Sequence, residues 1–283
     1  WFCSSVSSMS ESVERGTCMN ARMDIGGSGV ELNSRYNHIL PDIKLMAELA
    51  KKLTARRFEQ GSIDFDLPEP QIIIDLNGKV EDIVRSERNE AHKLIEEFML
   101  SANRAVAEEF SKRALPFIYR IHEPPDEESV NDFADFIATF GIRFTPGGPK
   151  SFQEALERFD GRPEEKLINH VLLRSMKQAV YSEENLGHFG LAFEDYTHFT
   201  SPIRRYPDLV VHRLLKLLMK KAYTKEEQAR MEAVLPVTAV HTSGRERKAM
   251  EAEREIADLK KCQFMQDKVG DVFDGFISGV TNF

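Results

Sequence analysis

GHFGLAFEDYTHFTSPIRRYPDLVVHR, residues 187–213, brings together His188, His198 and His212, the pair Arg204–Arg205, and hydroxyls at Thr197, Thr200, Ser201 and Tyr206. His170 lies a short way upstream. Hydroxyls and guanidinium forks hold phosphate oxygens, and aromatic rings stack on bases. A loop whose polar groups only satisfy its own backbone would show similar residues. The order Thr-Ser-Pro-Ile-Arg-Arg-Tyr-Pro-Asp, running straight into an amphipathic helix, favours a binding role. In that helix Leu209, Val210, Leu214, Leu217 and Leu218 face inward and Arg213, Lys216 and Lys220 face out. Arg204, Arg205, Arg213, Lys216, Lys220 and Lys221 then form a basic locality against one acid, Asp208.

A local patch is needed, because the 283-residue chain carries a net charge of −8. That balance argues against nonspecific polyanion binding over the whole surface. Hydrophobic residues make up 41% and charged residues 30%, the proportions of an ordinary globular protein with a full core. No run approaches a membrane span and no signal-peptide pattern is visible. Cys3, Cys18 and Cys262 are scattered, with neither zinc-ligand spacing nor a disulfide framework, which suits a cytoplasmic location.

Outward from the central stretch, the periodicities predict a mainly helical α+β chain with a small antiparallel sheet. Ile39, Ile43, Met46, Leu49 and Leu53 predict a helix over 36–57. Residues 62–70 read as extended, 71–76 and 80–84 as a hairpin turning at Asn77-Gly78. Residues 90–113 read as a helix burying Leu94, Ile95, Phe98, Met99, Ala102, Val106 and Phe110, with Glu96 and Glu97 placed where each needs a partner. Further helices are expected at 130–140, 152–159 and 164–181. Another is expected from an N-cap at Thr242-Ser243 to about Asp267, with Ala249, Ala252, Ile256 and Leu259 inward and Arg247, Glu251, Arg254 and Glu255 outward. Residues 1–20 are serine-rich and aperiodic, and Ile25-Gly26-Gly27-Ser28-Gly29 reads as a flexible linker.

HFTSPIRRYPDLVVHR resembles the signature of the RNB-type 3′→5′ exoribonucleases, the ribonuclease R and ribonuclease II family. RRFEQGSIDFDLPEP (56–70), LIEEFMLSAN (94–103), YRIHEPP (119–125) and LLRSMKQAVYS (172–182) resemble the same family in the same order. The resemblance implies a tail over 1–20, a partial RNB domain over 21–268, and at 269–283 the truncated start of an S1-type RNA-binding domain. It implies single-stranded RNA as partner. Arg204 would stabilise charge on the scissile phosphate, Arg205 and Ser201 would hold the backbone, and Phe65 would stack on a base near the 3′ end. Glu96 would contact RNA, and Thr200, Tyr206 and Arg213 would join the RNA-binding surface. Glu253 falls in a segment resembling one near the family's active centre.

The family also implies Mg2+, held by an aspartate cluster. No matching D-x-x-D-D element is present, so no metal ligand is assigned. The expected activity is therefore a hydrolase related to exoribonucleases, its missing part supplied by another chain or a homo-oligomer. A non-catalytic RNA-binding fragment is one alternative. The other is an ester hydrolase, because Asp195, His198 and Ser201 recur at intervals of three as an acid, a base and a nucleophile. On that reading, or for residual hydrolysis without metal, His198 and His212 are the candidate bases.

Overall fold

The computed structural model describes residues 37–64, 70–86 and 88–275. Helix α1 is Leu40–Glu59, begun by a proline in its first turn, where the missing N–H leaves no bond unmade. Strands β1 (Pro70–Ile74) and β2 (Val80–Arg85) pair antiparallel, with an irregularity between Ile73 and Ile74. The turn forms where Asn77-Gly78 predicts it. Gly78 takes φ +80°, and Asp75 Oδ1 accepts the N–H groups of Asn77 and Lys79 at 2.8 Å each.

Helix α2, Glu90–Lys112, starts at an Asn89 cap whose side chain accepts from the His92 N–H. Its buried face differs from the expected stripe. Glu97, Leu100, Asn103, Ala107 and Phe110 are buried, whereas Ile95 is exposed and Phe98, Met99 and Val106 are only half-buried. The reason is that the polar members of this face have partners. Glu97 Oε1 accepts from Arg57 Nη2 at 2.6 Å and Nε at 3.0 Å, and Arg57 Nη1 donates to Ser62 Oγ at 2.7 Å. A buried charge is tolerable once it is paired and hydrogen-bonded, so the helix turns these residues inward.

Strand β3, Tyr119–Ile121, pairs antiparallel with β4, Val180–Ser182. Between them lie α3 (Glu127–Ala138), α4 (Pro149–Glu157) and α5 (Glu165–Ser175). The helix expected over 164–181 therefore stops at Ser175. Met176 goes extended, and β3, buried at every position, takes residues 180–182 to satisfy its backbone. A 3-10 turn, Phe189–Leu191, precedes α6 (Tyr206–Met219) and α7 (Lys225–Gln266).

Helix α7 is one 42-residue helix running through Pro236, not a new helix begun at Thr242-Ser243. The hydroxyls that looked like caps act elsewhere: Thr242 Oγ1 donates to Thr238 O at 2.7 Å, and Ser243 Oγ accepts the Tyr181 N–H at 2.9 Å. The true cap is Thr224. Met231, Leu235 and Ala239 are the buried residues of α7, while Ile256 and Leu259, expected inward, are exposed. No helix among the described residues is long and apolar enough to cross a membrane.

Two cores result. One joins α2, β3, β4, α6 and α7 through Phe110, Phe117, Tyr119, Tyr181, Val211, Leu214 and Leu235. The other joins α3, α4 and α5 through Phe133, Phe152, Phe159, Ile168 and Leu172. The expected α+β, mainly helical architecture holds, with two two-stranded sheets in place of one. Residues 1–36 and Phe65 lie outside the described residues, and so do residues 276–283 of the S1-like stretch, whose described part, 269–275, forms no strand.

Phe110 is wholly buried and stacks on Phe117 with ring centroids 4.2 Å apart. Phe110→Ala is expected to lower unfolding free energy by about 3–5 kcal/mol through the cavity it leaves. Half-buried Phe98→Ala should cost clearly less. Urea unfolding of both variants checks the order, and equal losses would contradict the observed face of α2.

Candidate nucleic-acid interface

The segment 187–205 is held by many short contacts to elements distant in sequence. His122 N–H donates to Gly187 O and Phe189 N–H to His122 O, so the segment begins alongside the end of β3. Arg120 N–H donates to Tyr196 O at 2.9 Å, and Thr197 Oγ1 donates to Ile118 O at 2.7 Å. Asn103 on α2 serves both sides of His198: its Nδ2 donates to Tyr196 Oη and its Oδ1 accepts the Phe199 N–H. The signature is thus pinned to β3 and α2 before it reaches its arginines.

The turn Thr-Ser-Pro-Ile-Arg-Arg is built around Asp208, which has no solvent exposure. Asp208 Oδ1 accepts the Ser201 N–H and Arg205 Nη2, and Oδ2 accepts Arg205 Nε, all at 2.8 Å. Backbone bonds from Arg204 and Arg205 to Ser201 O close the turn. Arg205 is thereby locked in a bidentate pair. Arg204 is exposed and has no carboxylate partner among the described residues. Burial of part of its side chain, and the neighbouring Arg205, both disfavour its charge and lower its pKa, yet a guanidinium stays protonated in any ordinary buffer. Such a group is satisfied best by an incoming anion.

A cleft of about 1520 Å³ opens on this turn. One side carries Arg120, Tyr181, His198, Arg204, Arg205 and Tyr206; the other is the α7 wall, with Val234, Val237, Thr238, Glu246, Met250 and Glu253. Four residues expected from the signature, His198, Arg204, Arg205 and Tyr206, therefore meet in one place, and Glu253 reaches it from sequence far away. Thr200, Ser201 and Arg213 do not line the cleft, and Arg213 is exposed on α6. Nor do Lys216, Lys220 and Lys221 line it, so the basic locality read along the sequence divides into a cleft pair and a separate α6 face. Glu96 also lies elsewhere: Arg88 clasps it at 2.8 Å and holds Asp64 at 3.0 Å.

Sequence reasoning missed Arg120, Tyr181, Glu246 and the anchoring role of Asp208. Arg120 sits on β3 over the Tyr181 ring, 4.6 Å from its centroid, and its fork meets Glu246 at 2.5 and 3.1 Å. Tyr181 Oη hydrogen-bonds His198 Nδ1 at 2.8 Å. Arg120 and Tyr181 fall inside motifs that resemble the family, which was a usable signal; Glu246, one acid on a long charged helix, gave none.

The expected acid–base–nucleophile trio is not assembled. Asp195 accepts from Asn185, His198 meets Tyr181, and the Ser201 amide is held by Asp208. Asp195 and Ser201 do not line the cleft that His198 lines. His212, the other candidate base, stacks on Phe199 and bonds its carbonyl at 2.9 Å.

The histidines behind the cleft are held neutral. Burial pushes His198 well below the usual 6.5, and Arg205, Arg120 and Arg204 act in the same direction. Burial likewise pushes His188 well down, with smaller contributions from His122 and Arg120, and lowers His122. Burial raises the phenols of Tyr181 and Tyr196, so both keep their protons.

A mainly helical fold gathers guanidiniums and aromatic rings on one cleft, an arrangement that suits an anion. The chain belongs to the RNB family: the RNB domain matches residues 5–221, a span that reaches into the first twenty residues. It is 44% identical over 280 residues to ribonuclease R 1 of Lactococcus lactis subsp. lactis, covering 98% of this chain and 34% of that protein. With ribonuclease R of Escherichia coli it shares 41% identity over 265 residues, covering 89% and 32%. The structure resembles Mycoplasma genitalium RNase R in complex with ribose-methylated single-stranded RNA, with a TM-score of 0.83, 25% identity and 99% and 42% coverage. It shares its fold with yeast Ssd1, a pseudonuclease, at a TM-score of 0.53, 24% identity and 70% and 25% coverage. The chain spans about a third of the length of these curated relatives.

Below 6.5 an unfolded chain protonates His188 and His198 while the native chain does not. Their contribution to stability is therefore full above 6.5 and declines as pH falls from there toward their lowered native values. Each can add a slope of up to about 1.4 kcal/mol per pH unit. Urea midpoints at pH 7.5, 6.5 and 5.5 should fall in that order, before most carboxylates titrate. A flat profile would show that these rings are not buried neutral.

Proposed function

We propose that this chain is the RNA-holding part of a 3′→5′ exoribonuclease of the RNB family, and that its cleft takes the backbone of single-stranded RNA. The observation that supports this most directly is Arg204. It is a cation without a carboxylate partner among the described residues, at the mouth of a cleft whose turn is anchored by a buried aspartate. Arg204 contacts the phosphate near the scissile bond and stabilises the charge that develops there. Arg205, oriented by Asp208, offers its remaining donors to the next phosphate. Tyr206, half exposed beside them, presents a ring to a base. Glu253 faces them from α7, where a carboxylate can accept from ribose hydroxyls. Phe65 keeps its proposed role as a base-stacking ring; Thr200, Ser201 and Arg213 act outside the cleft wall, and Glu96, held by Arg88, contacts RNA away from it.

RNB-family ribonucleases are generally Mg2+-dependent. The described residues do not fit that ion: no three His, Cys, Asp or Glu side chains among them converge as a metal site. Asp64 and Glu96 are bridged by the Arg88 guanidinium, a cation already in place. The part of the reaction assigned to this chain is accordingly binding, orientation and charge stabilisation by arginine.

Arg204→Ala is expected to weaken binding of a labelled single-stranded oligoribonucleotide by about 1.5–3 kcal/mol, the worth of a charged hydrogen bond. Its melting temperature should hardly change, because Arg204 anchors nothing. Asp208→Ala should instead lower stability by about 3–5 kcal/mol, since it strands a partly buried guanidinium and a turn amide. Fluorescence anisotropy and thermal melts separate the two. Unchanged RNA affinity in a folded Arg204→Ala protein would refute the reading.

A further inference from the structure

Four arginines line the cleft with the buried His198, and three of them, Arg120, Arg204 and Arg205, have their charges balanced in three different ways. Arg205 is matched by Asp208, three residues along the same turn and without solvent exposure. That pair is structural, because the same carboxylate also holds the Ser201 amide. Arg204 has no carboxylate partner among the described residues. Arg120 is matched across the cleft by Glu246, which lies 126 positions away on α7.

The Arg120–Glu246 pair has an unusual combination of properties. On the arginine side it is preorganised. The guanidinium is buried over the Tyr181 ring, that ring's hydroxyl is tied to His198, and the Tyr181 amide is tied to Ser243. On the glutamate side it is less enclosed. The Glu246 side chain is 18% exposed, against 0% for Asp208, and it lines the cleft from α7. A carboxylate presents two oxygens to a guanidinium fork in nearly the arrangement of two phosphate oxygens. When a polyanion enters between the walls, Glu246 is repelled and can return to water at the rim, while Arg120 is already aimed.

We propose that Arg120 is a third phosphate ligand of this cleft, and that Glu246 occupies its fork as a stand-in for the phosphodiester until single-stranded RNA displaces it. This rests on the RNA-binding reading above. The exchange sets a threshold. A long strand that can reach Arg120 at the inner wall replaces the carboxylate, whereas an anion engaging only Arg204 leaves the pair closed. Glu246 then lowers affinity for short or partial occupants without lowering the cleft's capacity for a full one.

The test is equilibrium binding of a fluorescent single-stranded oligoribonucleotide to the full chain over a range of salt concentrations. Glu246→Gln keeps the side-chain volume and one acceptor but removes the competing charge. It is expected to bind RNA about 3- to 10-fold tighter at low salt, with the slope of log affinity against log salt steeper by about 0.7, the value for one added phosphate contact on a single strand. Glu246→Asp, which keeps the charge but shortens its reach, should show a smaller gain and serves if the glutamine variant folds poorly. Adding Arg120→Gln to Glu246→Gln should abolish the gain. If the pair is only a brace between β3 and α7, the glutamine variant will bind with unchanged or weaker affinity and an unchanged slope, and the proposal is overturned. A wild-type chain that binds no RNA would overturn the RNA-binding reading itself, which separates that failure from this one.

Discussion

A carboxylate with no access to water, Asp208, is the constraint on which the cleft depends. Removing such a charge from solvent is costly, and only charge-assisted hydrogen bonds of good geometry offset the cost. Asp208 has three: two from Arg205 and one from the Ser201 amide. They fix the closure of the turn, the direction of Arg205 and, by exclusion, the outward direction of Arg204. Pro207 in the first turn of α6 places this carboxylate at a helix start, where a negative charge is also favoured by the helix dipole.

The same principle recurs at each place where elements meet. Arg57 and Glu97 join α1 to α2, and Arg120 and Glu246 join β3 to α7. Asn103, buried in α2, joins two points of the signature segment through one amide. Hydrophobic burial supplies the driving force in two large cores and a small third cluster, but it has no direction. The polar contacts are directional, and they decide which residues reach the cleft.

The expected α+β character, the Asn77-Gly78 turn and most helices were legible because each rests on local chemistry: apolar periodicity, a glycine at positive φ, a proline in a first turn. The signature likewise announced His198, Arg204, Arg205 and Tyr206 as a group, and they do share one cleft. What failed were inferences that left out partners distant in sequence. The buried face of α2 was misread because Asn103 turns inward to the signature, and the partner that Glu97 needed is Arg57 on α1. The helix over 164–181 was drawn too long because the strand it would have to pair with, residues 119–121, lies more than fifty positions earlier. Thr242-Ser243 looked like a cap because its hydroxyls had no visible destination; Ser243 in fact holds the Tyr181 amide.

By itself, then, the sequence determined most element types, the family resemblance and the clustering of His198, Arg204, Arg205 and Tyr206, since these follow from residue order over a few positions. Only the tertiary structure decided how each charge in that cluster is balanced. Arg205, Arg204 and Arg120 are chemically identical in the sequence. Folding gives the first a buried aspartate, leaves the second without a carboxylate partner among the described residues, and sets the third against a glutamate on a distant helix. That difference arises from burial and from long-range pairing, and neither can be read from order along the chain.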